Sequence, residues 1–458
     1  MILPPSDYIY NFGKKDLPMS LREHAKQIYN KAIDVVKPDQ LIERKIILDK
    51  HLLKIDDYTF DLRKFERIFV IGAGKASAPM AKKLEQVLGS RLFYGIVSVK
   101  YGHAVTCQKI RILEAGHPVI DQNTLNATDQ MLQILKDVSE KDLVLCLLSG
   151  GGSALLESLP ENISLSHLQK VFEMLLSSGS NIEEINSVRK HLSLVKGGQL
   201  ARAIYPATCL SFILSDVIGN PLDAIASGPT SPDPTSFQDA WRVLEKYNLL
   251  NDLPAPIKNH LSQGKQNKIP ETLKPNDPIF EKVYNVILGS NLMALDAAKK
   301  TAQELGYNTL ILSSQIQGEA REVSKVIASI VQEILENDIP ITKPACLLLG
   351  GETTVTIRGK GKGGRNQELA LAALLSMKKV KEKYLIVSCG TDGTDGPTDA
   401  AGGMADGVVW QEAVKLALDP QKYLEENNAY PFLEKTGGLI KIGPTGTNVM
   451  DIIFALVP

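Results

Sequence analysis

The chain has 458 residues, well past the roughly 250 to 300 at which a single hydrophobic core stops growing, so two or three domains are expected. Hydrophobic residues at 44% and charged residues at 22% match ordinary globular proteins, and no apolar run approaches the ~18 residues of a membrane span, which excludes spanning, collagen-like and wholly disordered chains. Lys plus Arg at 51 against Asp plus Glu at 52 gives a formal net charge of -1, too weak a field to recruit nucleic acid or an anionic membrane, so anion binding has to be local.

Five cysteines without C-x-x-C spacing give neither a disulfide framework nor a zinc ribbon. Cys146, Cys209, Cys346 and Cys389 lie in apolar runs and read as small core residues, with a reactive thiol as the lesser reading. The first twenty residues carry neither a secretory-signal nor a transit-peptide pattern, so a reducing cytoplasm is expected.

In chain order, Ser20-Leu21-Arg22-Glu23 forms a capping-box pattern, and Leu21, Ala25, Ile28, Ala32 and Val35 follow at helical spacing, which predicts an amphipathic helix. Apolar runs at 68–71, 95–99, 143–148 and 209–214 then predict buried strands separated by helical patterns. That alternation is the signature of an α/β fold with a Rossmann-like, doubly wound parallel sheet. Between 251 and 280 the period breaks around Pro254, Pro256, Pro270, Pro275 and Pro278. The expected division is therefore an N-terminal domain 1–255, a linker 256–280 and a smaller C-terminal α/β domain 281–458. In that second half, strands are predicted at 283–288, 309–312, 345–349 and 452–457, with helices at 291–305 and 320–335. Alternating β-branched residues at 352–358 predict a further antiparallel strand and hence a mixed sheet.

Nearly every predicted strand ends in a glycine-rich loop, where open α/β sheets bind ligands. Gly72-Ala-Gly74-Lys75 lacks the third glycine of a dinucleotide fingerprint, which Ser77 replaces, and residues 91–103 hold no ribose-binding carboxylate. Lys75 is then either a point charge for a phosphate or carboxylate, or an ordinary surface lysine. Ser149-Gly150-Gly151-Gly152-Ser153 opens a helix after a strand and reads as an anion cradle of backbone N–H groups, or as a tight turn. Asn186, Arg189 and Lys190 share a helix face, which is either anion-binding or a solvated basic face; His191 beside them reads as a satisfied structural histidine. Asp216 follows a strand and suits a general base, a magnesium contact or an Asx-type cap.

In the second half, Arg365 sits beside glycines before a helix and can stabilise phosphoryl charge. Asp392, Asp395 and Asp399 crowd one loop without the spacing of an EF-hand. Together these loops suit phosphoryl transfer to a small acid.

The motifs GAGKAS (72–77), SGGGSALL (149–156), NSVRKHLSLVKGG (186–198), SDVIGNPLDAIASGPT (215–230), GGETTVTIRGKGKGGRNQELALA (350–372), GTDGTDGPTDAAGG (390–403) and GPTGTNVMD (443–451) resemble the glycerate 2-kinase family, whose C-terminal part is called the MOFRL domain. The resemblance implies a kinase that uses ATP and Mg2+ to phosphorylate D-glycerate at the 2-hydroxyl, with its active site in a cleft between two α/β domains. It places catalytic roles on Lys75 and Arg365, with Asp216 as base or metal contact. It further suggests Gly74, Ser149 through Ser153, Asn186, Arg189 and Lys196 for substrate or phosphate, and Gly351, Glu352, Gly364, Asn366, Asp392 and Asn448 for the nucleotide. Asp216, Glu352 and Asp392 are the magnesium candidates. Expected partners are D-glycerate and ATP, with neither nucleic acid nor membrane, and a homodimer is the assembly allowed. Two rivals are an NAD-dependent hydroxypyruvate reductase and a non-catalytic anion-binding protein.

Overall fold

The structure, a computed structural model, describes residues 11–12 and 20–458. It divides into two compact units: residues up to Lys37 together with Ser290–Pro458, here the terminal unit, and Pro38–Gly289, the inserted unit. The chain thus enters the terminal unit first, as strand β1 (Asn11–Phe12) and the helix Ser20–Val35. That helix buries Leu21, Ala25, Ile28 and Ala32 as the spacing predicts. The Ser20 side chain expected to cap it lies outside the described residues, as does the stretch that carries the N-terminal expectation.

The inserted unit begins with a small antiparallel meander, β2 (Ile47–Asp49), β3 (Leu52–Ile55) and β4 (Tyr58–Asp61). Its main sheet comprises β5 (Arg67–Ala73), β6 (Leu92–Lys100), β7 (Ile110–Ala115), β8 (Asp142–Leu148), β9 (Thr208–Leu214) and β10 (Val283–Gly289). All neighbours are parallel and the order is β10-β9-β8-β5-β6-β7. The order reverses between β5 and β8, so the crevice beyond their carboxyl ends is the topological switch point of a doubly wound sheet. Ile71, Val144, Cys146, Leu148 and Ile213 build the core around these strands, and β8 is buried along its whole length, as parallel strands covered on both faces are.

The unit boundaries differ from the expected 1–255, 256–280 and 281–458. The Pro-rich stretch is no linker: Ala255–Lys265 is a helix whose Ile257 and Leu261 are buried in a second core with Leu168, Val171, Val188 and Leu244. Proline at its start suits the first turn of a helix, where the missing N–H costs nothing. Strand β10 pairs with β9 and so closes the first sheet rather than opening the second.

The terminal unit continues with β11 (Asn308–Ile316), β12 (Ala345–Gly351), β13 (Leu385–Gly390), β14 (Gly402–Asp406), β15 (Leu439–Lys441) and β16 (Asp451–Val457). With β1 they form one sheet ordered β1-β15-β14-β13-β16-β12-β11. It is mixed, as expected, but for another reason. β16 inserts antiparallel between β12 and β13, while residues 352–358 form only a single bridge, Glu319 to Thr354. With β11 on one side of β12 and β16 on the other, no free edge remains beside it for another strand, and Ile357 is left 81% exposed.

Candidate active site

The switch point of the inserted unit is built by two loops. Gly74 and Lys75 leave β5; Ser149 to Gly152 leave β8. Lys75 N donates to Gly150 O at 2.9 Å, and Ser149 N donates to Ala73 O at 3.2 Å, which locks one loop to the other. The Ser149 hydroxyl is fully buried, accepting from Ala76 N at 3.0 Å and lying 3.1 Å from Ser77 Oγ. It therefore pins the turn and is not presented to a ligand, a correction to its expected role. The same contact explains Ser77 in place of a third glycine: its hydroxyl also donates to Leu147 O.

Gly150 and Gly151 are required by geometry. A side chain on Gly150 would collide with the Asp216 carboxylate. Gly151 has φ 82, the left-handed region that costs other residues roughly 1–2 kcal/mol, and a Cβ there would lie 2.9 Å from the His117 ring and 3.4 Å from Lys75 Cγ. The turn thus brings Lys75, Asp216 and His117 around one short stretch of backbone. The N–H groups of Gly150, Gly151 and Ser153 meet no acceptor among the described residues, and Lys75 Nζ makes no hydrogen bond or ion pair among them. Ser153 Oγ lies 2.8 Å from Ser227 Oγ. Ser227 in turn donates to Asn186 Oδ1, and Arg189 donates to the same oxygen at 2.8 Å.

His117 was missed at the sequence level, although a His-Pro pair just past a strand's carboxyl end was the available signal. Burial, and then the charges of Lys75, Lys100 and His103, push its pKa down to about 4, so the imidazole is neutral at pH 7. Arg189 is also desolvated, which lowers its pKa, and its guanidinium lies 4.8 Å over the Phe172 ring.

Two basic residues of this region do not face a ligand. Lys196 is fully buried, 3.0 Å from the equally buried Glu157, and also donates to Leu156 O; its expected anion contact is corrected to an internal ion pair. Lys190, which the solvated-face reading would expose, is buried between Asp223 at 2.9 Å and Asp233 at 3.2 Å. His191 is the satisfied structural histidine expected, held by Ser187 O and Glu271.

In the terminal unit Arg365 begins the helix Arg365–Ser376. Its Nε and Nη2 donate to the two oxygens of buried Asp451 at 2.6 and 2.9 Å, and Nη1 lies 2.7 Å from Glu352. Burial opposes its charge, but these carboxylates more than offset that and hold its pKa above the ordinary value. Asp395 caps the same helix, accepting from Asn366 N and Gln367 N. Burial pushes its pKa up to about 6, with Asp451 adding to the rise.

The residues expected to contact nucleotide here are largely committed elsewhere. Asn366 bonds Asp395 and Ser388 in the core, Gly364 lies against Asp395 and Gly351 against Ile316. Asp392 accepts from Thr394 N, and Asn448 accepts from Met450 N. A cavity of about 510 Å³ does lie beside Glu352 and Arg365. Among the described residues no group of three or more His, Cys, Asp or Glu could hold a metal, and no helix is long and apolar enough to cross a membrane.

The "Domain of unknown function (DUF4147)" model matches residues 24–262 and the "MOFRL family" model residues 345–451. A protein of Pyrococcus horikoshii named glycerate 2-kinase is 41% identical over 96% of this chain and 98% of its own length. This chain belongs to the glycerate 2-kinase family. A Thermotoga maritima relative named D-glycerate 2-kinase is 42% identical over 96% of this chain and 99% of its own. The crystal structure of a T. maritima glycerate kinase superposes with a TM-score of 0.86 at 41% identity, covering 96% of this chain and all (100%) of that one. The fold of this glycerate 2-kinase family member is thus shared along nearly its whole length.

Proposed function

We propose that this protein transfers the γ-phosphoryl group of ATP to D-glycerate, giving 2-phosphoglycerate and ADP. The observation that carries the reading is the switch-point turn, where amides of Gly150, Gly151 and Ser153 that meet no acceptor among the described residues stand beside Lys75, whose ammonium makes no ion pair among them. The names of the relatives support the substrate and the position of transfer.

In the transfer, the substrate hydroxyl oxygen bonds to the γ-phosphorus while the bond from that phosphorus to the β-bridging oxygen breaks. Lys75 neutralises charge on the phosphoryl oxygens, and the turn amides add fixed dipoles at no cost of reorganisation. Asp216, pressed against Gly150, accepts the hydroxyl proton. Arg365 is a second proposed cation for phosphoryl charge, held in position by Asp451 and Glu352. Magnesium would enter as the MgATP complex, because Mg2+ binds through one or two carboxylates plus nucleotide phosphates and keeps several waters. The carboxylates Asp216, Glu352 and Asp392, none of them part of a cluster of three or more possible ligands among the described residues, fit that manner of binding better than a preformed metal cage.

The test is D-glycerate-dependent ADP release with MgATP, the product being identified by phosphorus NMR. The expected product is 2-phosphoglycerate; folded protein that releases no ADP with D-glycerate removes the reading.

A further inference from the structure

The inserted unit holds a cavity of about 650 Å³ that opens from the Gly151 turn along the helix Leu165–Ser177. Residues 168, 172 and 176 of that helix recur every four positions, so they form one apolar stripe facing the cavity. Ile120 closes its other side. The volume lies within the range that encloses a multi-ring ligand and far exceeds what a three-carbon acid fills.

Three observations bear on the occupant. At the rim Val119 and Leu176 are 63% and 68% exposed, apolar surface that a flat aromatic ring would cover. Glu173, one position beyond Phe172, is an exposed carboxylate that lines the cavity and can accept hydrogen bonds from ribose hydroxyls. At the inner end stands Arg189. Its Nε is buried without a hydrogen-bond partner, and it forms no ion pair among the described residues. A desolvated guanidinium with an orphaned donor is costly unless an anion completes it. Arg189 and Ser153 line the same cavity as Gly151 and His117, so the cavity is continuous with the turn assigned above to the phosphoryl group.

We propose that this cavity holds the nucleoside of the phosphoryl donor, its purine against Leu168, Phe172 and Leu176, with Arg189 receiving an oxygen of the phosphate chain. The inference rests on the kinase reading above for the identity of the donor. It moves the nucleoside away from Gly351, Glu352, Gly364, Asn366, Asp392 and Asn448, which the family resemblance suggests for the nucleotide. A triphosphate laid from Arg189 towards Lys75 would pass the unpaired Gly150 and Gly151 amides, which places the transferred group at the sheet's switch point.

Leu176→Glu tests it, because position 176 is exposed and tolerates charge without loss of fold; Val119→Glu is a second variant on the opposite rim. Each sets a carboxylate where the purine would lie. Calorimetric titration with ADP and Mg2+, in the absence of glycerate, is expected to show a Kd raised about tenfold or more. KM for ATP should rise in parallel, while KM for D-glycerate stays unchanged. ADP binding equal to wild type in both variants overturns the proposal, and a rise confined to KM for D-glycerate would instead give the cavity to the acid. If the wild type releases no ADP with D-glycerate but its ADP binding is still weakened by Leu176→Glu, the nucleoside site stands and the kinase reading falls.

Discussion

Both units place a basic residue directly after glycines at the start of a helix, yet the two residues are in opposite electrostatic states. Lys75 in the inserted unit has no carboxylate or hydrogen-bond acceptor on its ammonium among the described residues, and nearby amides are equally unpaired. Arg365 in the terminal unit has its guanidinium occupied by Asp451 and Glu352. Similar local sequence therefore yields an unpaired charge in one case and an ion-paired, rigidly held one in the other. What separates them lies far away in the chain: Asp451 is 86 positions from Arg365. A glycine-flanked cation thus marks where a site can be, and the carboxylates the fold brings to it decide whether it stands unpaired or is held in a fixed position.

The comparison is sharpened most by removing a cation that is wholly consumed. Lys196→Met strands Glu157, with both side chains fully buried in the wild type. Losing one partner of such a pair costs about 3–5 kcal/mol, so calorimetry should show a Tm lowered by roughly 10 °C, with KM values of the remaining folded protein unchanged. A variant that keeps its Tm but loses affinity for substrate would return Lys196 to the site.

Lys75→Ala should do the opposite. With no partner to strand, its Tm should stay close to wild type while kcat falls by about 10² to 10³, or roughly 2.7–4 kcal/mol of barrier, the loss typical of one charge-stabilising donor. Near-wild-type turnover would break the assignment. Arg365→Ala is expected to combine both effects: a comparable fall in kcat, together with a lowered Tm because buried Asp451 loses its bidentate partner. Arg365→Lys should recover part of the Tm and little of the rate, since an ammonium cannot reproduce the planar fork.

Why the sequence revealed some of this and not the rest follows from the range of the interactions. The strands β5, β6, β8 and β9 were legible because a parallel strand buried on both faces needs a continuous apolar run. The loops that follow β5 and β8 were legible because the left-handed φ at Gly151 and the approach of Asp216 to Gly150 demand glycine locally. The fates of Ser149, Lys190 and Lys196 were not legible. Each is set by contacts with residues distant in sequence, and neither periodicity nor motif spacing encodes which lysine meets a buried carboxylate. The domain boundary was misplaced for the same reason: prolines that read as a linker begin a helix whose apolar face is buried by distant partners. His117 escaped because a single histidine carries no pattern until the fold sets its ring against the Gly151 turn.

The smallest effect, and the most direct test of the electrostatic contrast, lies in the pH dependence of stability. His117 has a folded pKa of about 4, below its ordinary 6.5. Between those values the unfolded chain binds more protons, so this group makes the protein less stable as pH falls from 6.5 towards 4. Asp395 has a folded pKa of about 6, above its ordinary 3.8. In that window the folded chain binds more protons, so this group makes the protein less stable as pH rises from 3.8 towards 6. Burial of a base at one turn and of an acid at the other, each reinforced by neighbouring like charge, thus gives opposite slopes over nearly the same range. With Tm measured at about pH 5 and about pH 7.5, His117→Gln minus wild type should be more favourable at the lower pH, where the wild type carries the cost of charging a crowded imidazole. Asp395→Asn minus wild type should be more favourable at the higher pH, where the wild type must ionise a buried carboxyl beside Asp451. The comparison cancels the fixed loss of hydrogen bonds in each variant, because that loss is present at both pH values. Slopes of the same sign would mean that at least one of the two groups does not keep, in the folded protein, the buried setting that shifts its pKa.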